Sequence, residues 1–359
     1  MEAAIDIEDA AQLVGYLRKT GRIGFQEEPI IRKLSGGVSN KTVWLGRSNG
    51  QAMVMKQSLP KLRVRSDWFS DPARINIEAN GLRYLPRVAP RGSITPLVFQ
   101  DPSQNLLAME AVAEPHQNWK ERLLSGKIES ALFSQFAELL GSIHRESFRL
   151  RHELQPIFTE KKFFQTLRLE PYYEHSAGTA PEAGAFLMEL IGSTLSQSET
   201  LVHGDFSPKN ILVHDGRLIL LDHEVLHFGD PAFDVGFSLT HILSKALHAR
   251  EQRPALIAAA RRYWKRYLDE IREMPWVEHL DLRAAKHTLA CILARICGRS
   301  PLEYLSDQER LMQRQIALEM IRENLTTVDE VIAGFARRIS NDPVPKILTN
   351  DQSHKPQCR

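Results

Sequence analysis

Along the chain the spacing of apolar residues changes from two to about three and a half, and that change divides the sequence. After a first helical stretch (about 8–19), short β-rich runs at 30–34 and 42–45 flank the glycine-bearing turn SGGVSNK (35–41), and AMVMK (52–56) follows as a third strand. Across 72–85, Ile75, Ala79, Leu82 and Leu85 share one helical face. Two further strands are expected at 94–99 and 105–109, with DPSQ turning between them. From about Glu114 the helical period takes over. A strongly amphipathic helix is expected over 128–144, with Leu132, Phe136, Leu139, Leu140 and Ile143 on one side. Others follow at 181–195, 232–247, 254–271, 282–297, 307–325 and 328–339. One hairpin interrupts them: ILV (211–213) and LILL (218–221), joined by His-Asp-Gly.

This pattern predicts an α+β chain of two lobes. We expect an N-terminal helix in 1–28, a small β-rich lobe in 29–112, a larger, mainly helical lobe in 113–340 and a flexible tail in 341–359, with a hinge at MEAVAEP (109–115). Composition narrows the class. A chain of 359 residues, 43% hydrophobic and 25% charged, has material for two full cores. A net charge of +2 without a basic stripe argues against a nucleic-acid partner. No apolar run is long enough for a membrane span, and the acidic N-terminus lacks a signal pattern. Cys291, Cys297 and Cys358 have neither metal-ligand spacing nor an even framework, which fits a reducing, cytoplasmic location.

The hairpin carries the candidate chemistry. LVHGDFSPKNILVHDGRLILLDHE (201–224) sets His203, Asp205, Lys209, Asn210, Asp222 and Glu224 around apolar strands. Charges are costly to bury, so such groups are usually paired, metal-bound or catalytic. Asp205 and Asn210 precede the first strand, and the return strand brings Asp222 back to the same end. Three oxygen-bearing side chains then converge, a donor set that suits Mg²⁺ and recurs in phosphoryl transfer. The plainer alternative is that Asp205 and Asn210 cap a tight turn. Glu224, two residues beyond Asp222, shares its strand face and either holds metal or substrate or pairs with a local basic group; His223 should point the other way. In the first lobe, Lys56 ends a strand and Glu78 lies on the next helix, either a surface pair or the lysine–glutamate pair that sets an ammonium against ATP phosphates. Gly36 and Gly37 permit close backbone approach in the SGGVSNK turn, where Ser39 and Asn40 add donors.

Together these segments resemble the aminoglycoside phosphotransferase and choline kinase group of protein-kinase-like small-molecule kinases. HGDFSPKNIL (203–212) resembles that group's catalytic loop, LLDHE (220–224) its metal-binding segment and GDPAFDVG (229–236) the segment after it. The resemblance, which spans about 30–325, implies a bilobal protein-kinase-like fold. It implies Asp205 as catalytic base, Asn210 and Asp222 as Mg²⁺ ligands, and Lys56 with Glu78 as the anchor for ATP phosphates. It also implies a hinge strand AMEAV, with Glu110 and Val112 meeting adenine through their backbone, and Asp234 and His203 in structural support. In parts the chain is more similar to the methylthioribose kinases. KQSLPKLRVRSDWFSDPARINIEANGLRYL (56–85) looks like their lysine strand, Trp-bearing loop and glutamate helix, and the helices around LARICGRSPLEYL (293–305) look alike too. Where that family carries an arginine pair near its sugar, this chain reads Ala294-Arg295.

The expected activity is therefore ATP- and Mg²⁺-dependent phosphorylation of an alcohol on a small molecule, by a monomer or a homodimer. Trp68 and Arg295 are acceptor-side candidates. A sugar or thiosugar is favoured over an aminoglycoside or amino alcohol, because a polycation would want a cluster of carboxylates and the helical lobe mixes in basic runs such as RRYWKR (261–266). Two other classes compete. A Zn²⁺ or Mn²⁺ hydrolase using His203, Asp205, Asp222, His223 and His227 leaves Lys56, Glu78 and Asn210 without a role. A non-catalytic nucleotide-binding scaffold has to explain why every catalytic position is filled.

Overall fold

The computed structural model describes residues 5–34, 37–64 and 67–340. Gly36 and the expected tail at 341–359 lie outside the described residues. The alternating runs of the first third pair as one antiparallel sheet in the order β1-β2-β3-β5-β4. Its strands are β1 (Ile30–Lys33), β2 (Asn40–Gly46), β3 (Ala52–Ser58), β4 (Leu97–Asp101) and β5 (Leu106–Glu110). Strand alternation gives the sheet two different faces. Val43, Leu45, Met53, Met55, Leu106 and Ala108 pack under Leu13, Tyr16 and Leu17 of α1 (Ala10–Lys19), whose N-terminus is capped by Asp9. Ile75, Ala79 and Leu82 of α2 (Arg74–Tyr84) join Leu107 and Met109 in a second, larger core. Lys56, one residue beyond Met55, therefore emerges on the face away from α1.

The fourth strand starts three residues later than its apolar run suggests. Pro96 has no N–H to offer a ladder, so pairing begins at Leu97. Ile94 instead forms a parallel bridge to Leu220 in the hairpin, which ties the sheet to the helical part.

Beyond β5 come β6 (His116–Asn118), α3 (Trp119–Leu124), α4 (Ser130–Arg149) and the short turns α5 (Arg151–Leu154) and α6 (Lys162–Phe164). A π-helical stretch at 165–174 leads into α7 (His175–Thr179), α8 (Gly184–Ser196) and β7 (Thr200–Val202). The hairpin is β8 (Ile211–His214) and β9 (Arg217–Leu220), closed by Asp215 and Gly216, both at positive φ. That pair of left-handed residues makes the two-residue turn whose twist matches a hairpin. Then follow β10 (His227–Gly229), α9 (Pro231–His248), α10 (Arg253–Ile271), α11 (Leu280–Cys297), α12 (Asp307–Arg322) and α13 (Val328–Ser340). β6 extends the hairpin to three strands, while β10 pairs with β7.

The central helix α9 is buried from Pro231 to Leu247 and packs closely on α11. A Cβ on Gly236 would sit 2.6 Å from the His287 carbonyl carbon, so only glycine allows that approach. The stretch at 162–179 carries no helical period in the sequence. Pro171 lies inside it and its π winding shifts the repeat, which hides the helix from pattern reading. Among the described residues no helix is long and apolar enough to cross a membrane.

Candidate active site

Three segments distant in sequence meet at Lys56. Its ammonium lies 2.5 Å from Glu78 Oε1 on α2 and 2.9 Å from Asp222 Oδ1 beyond the hairpin. Burial alone would lower the Lys56 pKa, but the charges of Asp222 and Glu78 outweigh it and hold the ammonium above its ordinary value. The two carboxyls respond in opposite directions. Burial, with Asp222 and Glu224 nearby and against the pull of Lys56, raises Glu78. Asp222, also desolvated, is held below the usual carboxylate range by Lys56. Asp222 is therefore the firmer anion of the pair.

Glu224 completes a carboxylate cluster. One oxygen each from Glu78, Asp222 and Glu224 lie within 4.8 Å of one another. The strand reading of 222–224 does not hold, because β9 ends at Leu220 and Asp222 is left-handed, at φ 69°. The side chains nonetheless separate as alternation would have them: His223 turns to His203, with Nδ1 3.2 Å from His203 Nε2. Burial lowers both imidazoles.

Arg74 organises this corner, and sequence reading passed over it. Fully buried, its Nε donates to Glu224 Oε2 at 3.0 Å, and its other nitrogens reach the carbonyls of Ser39, Leu59, Ser70 and Asp71. Its signal was its place four residues before Glu78, on the same helix face. Asn40 donates to Glu224 Oε2 at 3.2 Å and accepts from Ser58 Oγ, with Ser39 Oγ beside it. Asn40 thus reaches Glu224 directly, Ser39 meets Asn40 and Arg74, and Gly37 leads into them. The β3–β5 ladder ends where Ala111 N donates to Ala52 O, just between Glu110 and Val112.

At the loop before the hairpin, Asp234 accepts from the backbone of His203 (2.6 Å) and Gly204 (2.8 Å) and from His144 Nε2 (3.3 Å). Gly204 sits at φ 75° against Val225. These bonds fix the loop that presents Asp205. Asn210 folds back so that its amide donates to Asp205 O at 3.0 Å, and its own carbonyl accepts from Leu221, next to Asp222. The Asp205 carboxylate meets Arg168, whose Nη2 is 2.9 Å from Oδ2. Arg168 is another residue the sequence left unmarked. Burial opposes its charge and Asp205 outweighs that, raising its pKa.

Arg168 belongs to the π-helical stretch, which also receives both acceptor-side candidates. Trp68, buried, donates from Nε1 to Thr166 O at 3.2 Å. Arg295, also buried, donates to the Tyr172 hydroxyl and to Ser300 Oγ, each at 3.1 Å. Neither reaches the Lys56 cluster. The basic run at 261–266 lies elsewhere: Arg261, Arg262 and Lys265 line a groove of about 470 Å³ between α4 and α10 that shares no residue with this site. It has no bearing on what binds beside Asp205.

A family model described as the phosphotransferase enzyme family matches residues 30–280. The methylthioribose kinase of Pectobacterium carotovorum is 25% identical over 367 residues, covering 91% of this chain and 90% of that protein. That of Escherichia coli is 27% identical over 256 residues, covering 61% and 58% respectively. Among solved structures, choline kinase from Cryptosporidium parvum superposes with a TM-score of 0.55 at 12% identity, covering 93% of this chain and all of that one. An amicoumacin kinase in complex with AMP-PNP, Ca²⁺ and its namesake ligand gives 0.50 at 16% identity, with 88% and 95% covered. The fold is the bilobal, α+β protein-kinase-like fold of small-molecule kinases.

Proposed function

The chain belongs to the phosphotransferase enzyme family and is a small-molecule kinase, and we propose that it moves the γ-phosphate of ATP, with Mg²⁺, to an alcohol of a sugar-like acceptor. The observation that carries this reading is the meeting of Lys56, Glu78 and Asp222 at the end of the hairpin that also presents Asp205 and Asn210. Lys56, held charged between two carboxylates, offers its ammonium to the ATP phosphates. The backbone of Glu110 and Val112, where the ladder stops, takes adenine, and the turn through Gly37 approaches the phosphates. Asp205, braced through Asp234 and His203, orients the acceptor hydroxyl and takes its proton as the phosphoryl group transfers.

The donor set fits Mg²⁺: hard carboxylate oxygens of Asp222, Glu224 and Glu78 cluster within 4.8 Å, with the Asn210 loop adjoining. Asn210 and Asp222 would hold the ion, with Glu224 alongside, and it would neutralise charge on the phosphates. The similarity to methylthioribose kinases supports a sugar or thiosugar acceptor. Free thiols at Cys291 and Cys297 fit the cytoplasm.

The test is ADP release by the purified chain with Mg²⁺-ATP against thiosugars, pentoses, amino alcohols and aminoglycosides. Turnover with a sugar-type alcohol that vanishes on Asp205→Asn supports the reading. Turnover confined to aminoglycosides or amino alcohols would replace the acceptor class, and a chain whose melting temperature ignores Mg²⁺-ATP would remove the reaction.

A further inference from the structure

Among the described residues, buried charges are paired, with two exceptions. Arg74 has Glu224, Glu78 has Lys56, Arg168 has Asp205, Asp230 has Arg283 and Asp234 has His144. Lys245 and Arg295 are buried too, at 0% and 6% exposure, and among the described residues no carboxylate pairs with either. Among the described residues Lys245 Nζ donates only to the His241 carbonyl, one turn back on α9, and it lies 5.2 Å from the Tyr304 ring. Arg295 leaves Nε without a partner. His241, 3% exposed, has both ring nitrogens unsatisfied, and the hydroxyls of Ser244 and Tyr304 are unsatisfied as well.

Uncompensated buried cations are expensive, and a fold tolerates them where an anion arrives to pair with them. Their position says which anion. Tyr172 links Arg295 to the transfer site: Arg295 bonds its hydroxyl, and Arg168, the partner of Asp205, lies 5.9 Å from the centre of its ring. Phe237 stacks on Tyr172, and its ring centre lies 4.9 Å from that of His241. Lys209, four residues after Asp205, is exposed and anchored through its carbonyl to Asn118. Lys120 stands at the start of α3, two residues after Asn118. The nearby carboxylate, Glu303, is already engaged by Lys120 at 2.5 Å. Burial, and then the charge of Lys120, push the Lys245 ammonium down to about 7, as expected of a cation surrounded by cations.

We propose that the acceptor alcohol carries an anionic group, a carboxylate or a phosphate, held by Arg295 and His241 in the field of Lys245, Lys209 and Lys120. The substrate class is then a sugar acid or sugar phosphate, and a cationic aminoglycoside or choline is repelled. The inference rests on the proposed kinase reading for the transfer itself, but the anion site is testable without catalysis.

The full chain, without nucleotide, is titrated with D-ribonate, D-ribose 5-phosphate and neutral D-ribitol while its melting temperature is followed. At least one anion should stabilise it and ribitol should not; which anion does so separates carboxylate from phosphate recognition. Arg295→Gln and Lys245→Met should each weaken the anion by roughly tenfold or more, since Arg295 is a buried charge and Lys245, pushed down to about 7, is drawn back to its charged form when an anion pairs with it. Lys56→Met should leave anion affinity within about twofold, because it acts at a separate site. Equal stabilisation by ribitol, no stabilisation by either anion, or loss in Lys56→Met alone would overturn the proposal; the last would put the anion among the ATP phosphates. If the two variants fail to fold, the wild-type contrast between anion and ribitol still decides. A Mg²⁺-ATP titration in the same series reports separately on the kinase reading.

Discussion

Asp205→Asn tests two things at once, because Asp205 is both the proposed base and the only countercharge of Arg168 among the described residues. The substitution keeps volume and leaves an oxygen that still accepts from Arg168, but removes the negative charge. Both side chains are largely buried, so the loss is little screened by water. Removing one partner of a buried pair costs about 3–5 kcal/mol, and the retained amide oxygen puts this case near 3. For a chain of 359 residues, whose unfolding entropy is about 0.75 kcal/mol/K, that lowers Tm by roughly 4 °C. Transfer should fall by about 10²–10⁴-fold, the usual contribution of a positioned base. Arg168→Met in the same background removes the stranded guanidinium. The double variant should therefore recover about 2 kcal/mol relative to the sum of the single changes, with no recovery of transfer. Urea unfolding of the four proteins and ADP release at saturating Mg²⁺-ATP supply the cycle. Additive stabilities would show that the 2.9 Å contact does not couple the pair. Asp205→Asn turnover within tenfold of wild type would refute the base.

Trp68→Ala empties a buried site bonded to Thr166. It should cost about 3–5 kcal/mol and raise the acceptor KM more than the ATP KM in steady-state kinetics, since Thr166 adjoins Arg168 and not Lys56. Burial lowers His227 from 6.5 to about 4, so the unfolded chain takes up this proton first as pH falls. Its contribution, ~3 kcal/mol, is fully present above pH 6.5 and lost as pH drops towards 4. Urea midpoints at pH 7.5 and 5 should show the fall, and His227→Phe, stacked on Phe164 in the same way, should lessen it, leaving the part due to the other buried imidazoles, His203, His223 and His241. Gly236→Ala drives a methyl into the α11 backbone at His287 and should destabilise by about 3 kcal/mol or more, read by thermal melting; an unchanged Tm would mean that α9 and α11 separate easily.

Much of this protein is written in local pattern. Alternation marked the strands around Lys56, the helical period marked α4 and α9 to α13 to within a few residues, and the Asp-Gly turn marked the hairpin. The spacing of Asp205, Asn210 and Asp222 around that hairpin likewise sufficed to place them at one end. Tertiary structure decided the rest, because the remaining partners are not periodic. Arg168 and Tyr172 lie in a stretch whose π winding and Pro171 erase the helical signal, yet that stretch holds Trp68, Asp205 and Arg295 through Thr166, Arg168 and Tyr172. Its place one turn before Glu78 is the one mark the sequence gives Arg74; that it is buried against Glu224, unlike the exposed Arg261 and Arg262 of α10, is decided by packing. Lys245 looks like one more lysine near a helix end. Only packing shows that it has lost water without gaining a carboxylate, because desolvation and countercharge are properties of what surrounds a residue and not of its neighbours in the chain.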